Sequence, residues 1–89
     1  MRKDIKKRVL RRLNIIEGQI KGLKKMIEEE KYCIDIITQS SAIRQALSVV
    51  EDLMLENHLS THAQEQMKGK QHKKIAEEIL KVYKLAKKR

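Results

Sequence analysis

Apolar residues recur every three or four positions in the first part of the chain: Ile5, Val9, Leu13, Ile16, Ile20, Leu23 and Ile27. On a helix of 3.6 residues per turn they form one stripe. Arg2, Lys6, Arg8, Arg11, Arg12, Lys21 and Lys25 occupy the other faces. The glutamates at 28–30 and Lys31 break the pattern. A second helix is predicted from about Ile34 to about His62. Its apolar set is Ile36, Ile37, Ile43, Ala46, Leu47, Val49, Val50, Leu53, Met54 and Leu55. That set is too broad for one stripe, so this helix needs cover on more than one side. The pattern lapses at QMKGKQ, where Gly69 suits a turn. A third helix is predicted from about Gln71, with Ile75, Ala76, Ile79, Leu80, Val82, Tyr83 and Ala86.

Two long helices joined by a short break form an antiparallel hairpin. The third helix is too short to cover the remaining faces of the second. The predicted fold is therefore all-α: a three-helix protomer whose hairpin pairs with a second copy in a four-helix bundle. A monomeric three-helix bundle is the alternative, with helices poorly matched in length. The 89 residues make a single domain, 1–89. A chain this short buries only roughly 60% of its unfolded surface, so a lone protomer is marginal. The absence of Pro, Trp and Phe, with only three Gly, agrees with uninterrupted helices. Gly18 and Gly22 lie four apart inside the first helix. They imply close backbone approach of another helix or, in a functional version, the same closeness admitting a partner or ligand.

Charge adds a partner to this picture. The net charge is +9, and it is segregated. Residues 1–31 hold eleven Lys/Arg against five Asp/Glu, residues 32–67 one against five, and residues 68–89 nine against two. Two basic segments flanking an acidic middle point to a polyanion. Nucleic acid is favoured over an anionic membrane, because no segment pairs its charge with Trp or Phe. No apolar run approaches the roughly 20 residues of a membrane span, and the basic N-terminus lacks the apolar stretch of a signal peptide. A single cysteine cannot form an internal disulfide framework. A cytoplasmic protein with a reduced thiol is expected.

Candidate chemistry is confined to a few residues. His58 and His62 form an i, i+4 pair, a spacing that suits Zn, Cu, Ni or Co on one helical face. Cys33 adds a soft donor, with a small buried apolar residue as its bland reading. On one helix Cys33 and His58 would be roughly 37 Å apart, and ligand distances near 2.0–2.3 Å cannot bridge that gap. Antiparallel packing of two second helices removes the conflict. Cys33 of one protomer then meets His58 and His62 of its neighbour, and a symmetric dimer holds two sites. His72 sits in the basic run KGKQHKK and is read as solvated or phosphate-facing, not as a ligand.

The stretches RRLNIIEGQIKGLKKMIEEEKYCIDIITQSSAIRQAL and ENHLSTHA closely resemble the CsoR family of bacterial metal-sensing transcriptional repressors. The similarity runs from about Lys6 to Tyr83. It includes EGQ-x-x-G, YC-x-D-x-x-x-Q and a late His-x-x-x-[Cys/His]. The resemblance implies an antiparallel dimer, usually within a dimer of dimers. It also implies a repressor that holds operator DNA when metal-free and releases it on binding metal. Cys33 and His58 match two ligands of the copper-sensing branch, while His62 stands where that branch commonly has a second Cys. Nickel- and cobalt-sensing relatives have Cys, His and His but typically add an N-terminal His, which MRKDIKK lacks. The persulfide-sensing branch needs a second Cys, and the formaldehyde-sensing branch has Pro where this chain has Arg2. Tyr32 and Glu78 match a pair that, in the copper branch, bonds the non-ligating nitrogen of the liganding His. Read without the resemblance, they are interfacial packing and a solvated acid.

The resulting expectation is a repressor responsive to Cu(I), with Ni(II), Co(II) or Zn(II) as alternatives. One thiolate and two imidazoles suit three-coordinate Cu(I), whereas nickel prefers more and harder ligands. Arg11, Arg12 and Arg44 are the leading DNA contacts, supported by Lys6, Lys7, Arg8 and the C-terminal lysines. Neither a helix-turn-helix signature nor zinc-finger spacing is present, so phosphate contacts and DNA shape should dominate. Two readings compete from another class. A metal-storage protein does not need segregated charge, and an architectural DNA binder does not need the Cys and His set. No constellation suited to an enzyme is apparent.

Overall fold

The structure, a computed structural model, describes residues 1–61 and 72–87. Three helices lie among them: α1 (Lys3–Glu28), α2 (Cys33–Ser60) and α3 (His72–Lys87). The chain divides into two compact units, Met1–Glu56 and Asn57–Arg89, and the division falls inside α2.

The first unit is an α1–α2 hairpin. Ile5 and Val9 near the start of α1 pack with Leu53 near the end of α2, and Leu13 and Val50 close around them. Ile16 and Ile43 are also buried. A side chain of this kind contributes about 1.5–3 kcal/mol when fully buried. Of the apolar stripe read from the sequence, Ile5, Val9 and Ile16 are buried and Leu13 and Leu23 half-buried, but two residues stay exposed. Ile20 is 43% and Ile27 57% exposed. Towards the turn the helices flank an open groove of about 410 Å³, lined by Leu23, Ile27, Ile36, Ile37, Ser40, Ser41 and Arg44. No described helix of this protomer closes on the glycine face of α1. A Cβ added at Gly18 or Gly22 would meet nothing within 4 Å in this chain.

An exposed side-chain pair lies at the start of α1, and backbone bonds cap its end. Arg2 donates to Asp4 at 3.1 and 2.6 Å. This bond holds the Asp4 carboxyl below its ordinary range and raises the Arg2 guanidinium. Asp4 also sits in the first turn, where a negative charge suits the helix dipole. At the other end the Glu30 amide donates to the Ile27 carbonyl and the Lys31 amide to the Met26 carbonyl. Glu30 has φ 52°. These two bonds around a left-handed residue make a Schellman cap, which turns the chain within three residues. The Tyr32 carbonyl then accepts from the Asp35 and Ile36 amides and opens α2 at Cys33.

In the second unit α2 ends at Ser60 and Thr61 forms a turn. The periodic pattern puts the end of this helix at about His62, within two residues of the observed Ser60. The Ser60 and Thr61 hydroxyls both donate to the Asn57 carbonyl, at 3.2 and 2.7 Å. Hydroxyls that bond back to the preceding turn compete with the helix ladder. Asn57 is buried at 4% exposure. In α3 Ile75 is buried, whereas Leu80, Val82, Tyr83 and Leu85 are exposed. His62, Gly69 with its expected turn, and Gln71 lie outside the described residues.

Candidate metal centre and nucleic-acid interface

The candidate ligands occupy opposite ends of α2. Cys33 is its first residue and carries a free, exposed thiol. Tyr32, which precedes it, is 70% exposed. His58 lies in the last turn of α2 and is partly exposed. Among the described residues, no group of three or more His, Cys, Asp or Glu side chains could hold a metal ion.

The structure brings two of the sequence-derived residues together. His58 Nε2 lies 3.1 Å from Glu78 Oε2, so one turn of α2 is tied to α3 across twenty residues of sequence. Both side chains are about one-third exposed. The ring N–H donates to the carboxylate, which fixes the tautomer and the plane of the imidazole. Metal-ligating histidines are characteristically oriented in this way. The surrounding turn is held as well, since the Thr61 amide donates to the His58 carbonyl at 3.4 Å. Asn57, Ser60 and Thr61 brace this turn, and sequence reasoning does not single them out. The one signal there is the helix-ending Ser-Thr pair beside the histidines.

The cationic residues form two separate places in the first unit. Arg8, Arg11 and Arg12 line a concavity of about 240 Å³ on α1, together with Ile15. Lys6 and Lys7 are exposed on the same helix. Arg44 lines the other groove, between α1 and α2. No helix among the described residues is long and apolar enough to cross a membrane.

A sequence model of metal-sensitive transcriptional repressors matches residues 5–85. The chain belongs to this repressor family. The copper-sensing transcriptional repressor RicR of Mycobacterium tuberculosis is 52% identical over 50 residues, which are 56% of this chain and 52% of RicR. The chain thus matches about half the length of that relative. The copper-sensing transcriptional repressor CsoR of Bacillus subtilis is 34% identical over 79 residues, covering 89% of this chain and 78% of that protein. The fold is similar to the crystal structure of the copper-sensing repressor CsoR with Cu(I) from Geobacillus thermodenitrificans NG80-2. The TM-score is 0.81 with 34% identity, over 94% of this chain and 88% of the other.

Proposed function

We propose that this repressor, acting as one domain over residues 1–89, responds to Cu(I): it holds operator DNA when metal-free and releases it when metal binds. The site is shared between protomers, with Cys33 from one and His58 and His62 from its partner. The observation that carries this reading is the His58–Glu78 hydrogen bond. It supports an imidazole of fixed orientation on a short, braced turn, and with Nε2 turned to Glu78 the ring would offer Nδ1 to a metal. The donor chemistry fits as well. A thiolate and imidazoles are ligands that Cu(I) prefers, and Cys33 is exposed for a partner to meet.

Cys33, His58 and His62 would hold the ion, which would supply a link between the two protomers. Everything else falls to the chain. Glu78 would connect a metal-bound His58 to α3, and Tyr32, adjacent to Cys33, would report from the other protomer. Arg8, Arg11, Arg12, Lys6 and Lys7 contact phosphates, and Arg44 makes a separate contact. Similarity to copper-sensing repressors in Mycobacterium, Bacillus and Geobacillus supports copper as the signal.

The test is anisotropy of a labelled promoter fragment bound by the protein, titrated with Cu(I), Ni(II), Co(II) and Zn(II). Release by Cu(I) at the lowest concentration is expected. Release by Ni(II), Co(II) or Zn(II) but not by Cu(I) would reassign the metal.

A further inference from the structure

The concavity on α1 contains one side chain that phosphate binding does not explain. Arg8, Arg11 and Arg12 line it, and so does Ile15, which is 56% exposed. Positions 8, 11, 12 and 15 are spaced i, i+3, i+4 and i+7, so they share one helical face. The core stripe of α1 is different: Ile5, Val9 and Ile16. A single exposed isoleucine is ordinary. An isoleucine set among three guanidiniums has a narrower choice of partners, because the cations select a polyanion. On duplex DNA the apolar group presented at a base edge is the C5 methyl of thymine, in the major groove. That groove, about 12 Å wide, admits an α-helix. Arg8 and Ile15 are roughly 10 Å apart along α1, so one face can reach both backbone and base edge.

We propose that Ile15 is a specificity-determining residue that contacts a thymine C5 methyl while Arg8, Arg11 and Arg12 hold the flanking phosphates. The proposal rests on the DNA-binding reading above and adds a base preference to a surface otherwise suited to sequence-independent contact.

The test uses the full-length, metal-free protein and a duplex that it selects from a random-sequence library. The same duplex is also synthesised with deoxyuridine for thymidine, which removes only the C5 methyls. The wild type should bind the uracil duplex about four-fold more weakly per methyl contacted. Ile15→Ala should bind both duplexes equally, and Ile15→Val should keep most of the difference. Arg11→Ala should weaken binding to both alike and preserve their ratio. Three results would overturn the proposal. The first is equal binding of the two duplexes by the wild type. The second is discrimination retained by Ile15→Ala. The third is a change of oligomeric state in Ile15→Ala by light scattering, which would place Ile15 between protomers. If Arg11→Ala and Arg8→Ala leave both affinities unchanged, the DNA-binding reading of this face falls first, and the base contact falls with it.

Discussion

His58 and Glu78 meet at 3.1 Å, joining the last turn of α2 to α3. The bond orients an imidazole and also connects it to α3. If His58 is a ligand as proposed, the remaining bonds to Cys33 and His62 should keep the metal when the connection to α3 is cut. Glu78→Ala should bind Cu(I) at close to wild-type affinity, hold DNA when metal-free, and release it poorly once metal is added. Tyr32→Phe should behave in the same way. Allosteric coupling is typically about 1–3 kcal/mol, and operator affinity with and without saturating Cu(I) measures how much of it survives. Normal release by both variants would mean that these side chains do not transmit the signal.

The turn after α1 offers a test of stability. Glu30 has φ 52°, in the left-handed region where a side chain is strained. Strain of this kind costs about 1–3 kcal/mol per residue, and glycine avoids it. Glu30→Gly should raise the unfolding free energy by about 1 kcal/mol in urea denaturation. An unchanged or lower stability would show that the Glu30 side chain offsets its own strain.

This turn also shows where sequence reasoning reaches its limit. Three glutamates and a lysine mark a polar break, but nothing in EEEK signals a left-handed residue, since Gly or Asn usually occupies that position. The helices themselves are legible, because Ile5, Val9 and Ile16 keep the 3.6-residue period and are buried. Ile20 and Ile27 keep the same period and remain exposed. Periodicity gives the face of a helix but not how far its partner extends along it. The end of α2 at Ser60 lies close to the predicted one, and the two hydroxyl bonds to the Asn57 carbonyl there are not visible in the periodic pattern. Of the site, the residue types are readable. That His58 touches Glu78 depends on how α3 returns, which local pattern does not specify. The resemblance to a known family suggests it.

The hairpin core should be sensitive at Leu53, which is 5% exposed and packed against Ile5 and Val9. Leu53→Ala removes buried methyl groups and leaves a cavity, a change that costs about 2–5 kcal/mol. Chemical denaturation should show a loss of that size, with oligomeric state checked at the same concentration. A loss below about 1 kcal/mol would mean that the core relaxes around the gap.

On the DNA side, neutralising Arg11 or Arg12 should weaken binding and reduce its salt slope by about one for each phosphate left without its cation. Arg44→Ala should act independently, because Arg44 lines a different groove. Metal affinity should stay near wild type in all three. Unchanged DNA binding in all three would move the interface to the C-terminal lysines.

The central claim is that each metal site is built from two protomers, and mixing variants tests it most directly. Cys33→Ala alone should lose high-affinity Cu(I) binding, and so should His58→Ala/His62→Ala. Mixed after unfolding and refolded together, the two should form dimers in which one site is whole. The account predicts about one high-affinity Cu(I) per mixed dimer, with partial metal-dependent release of DNA. Mixed dimers that form, as verified by mass spectrometry, and bind no Cu(I) would contradict it.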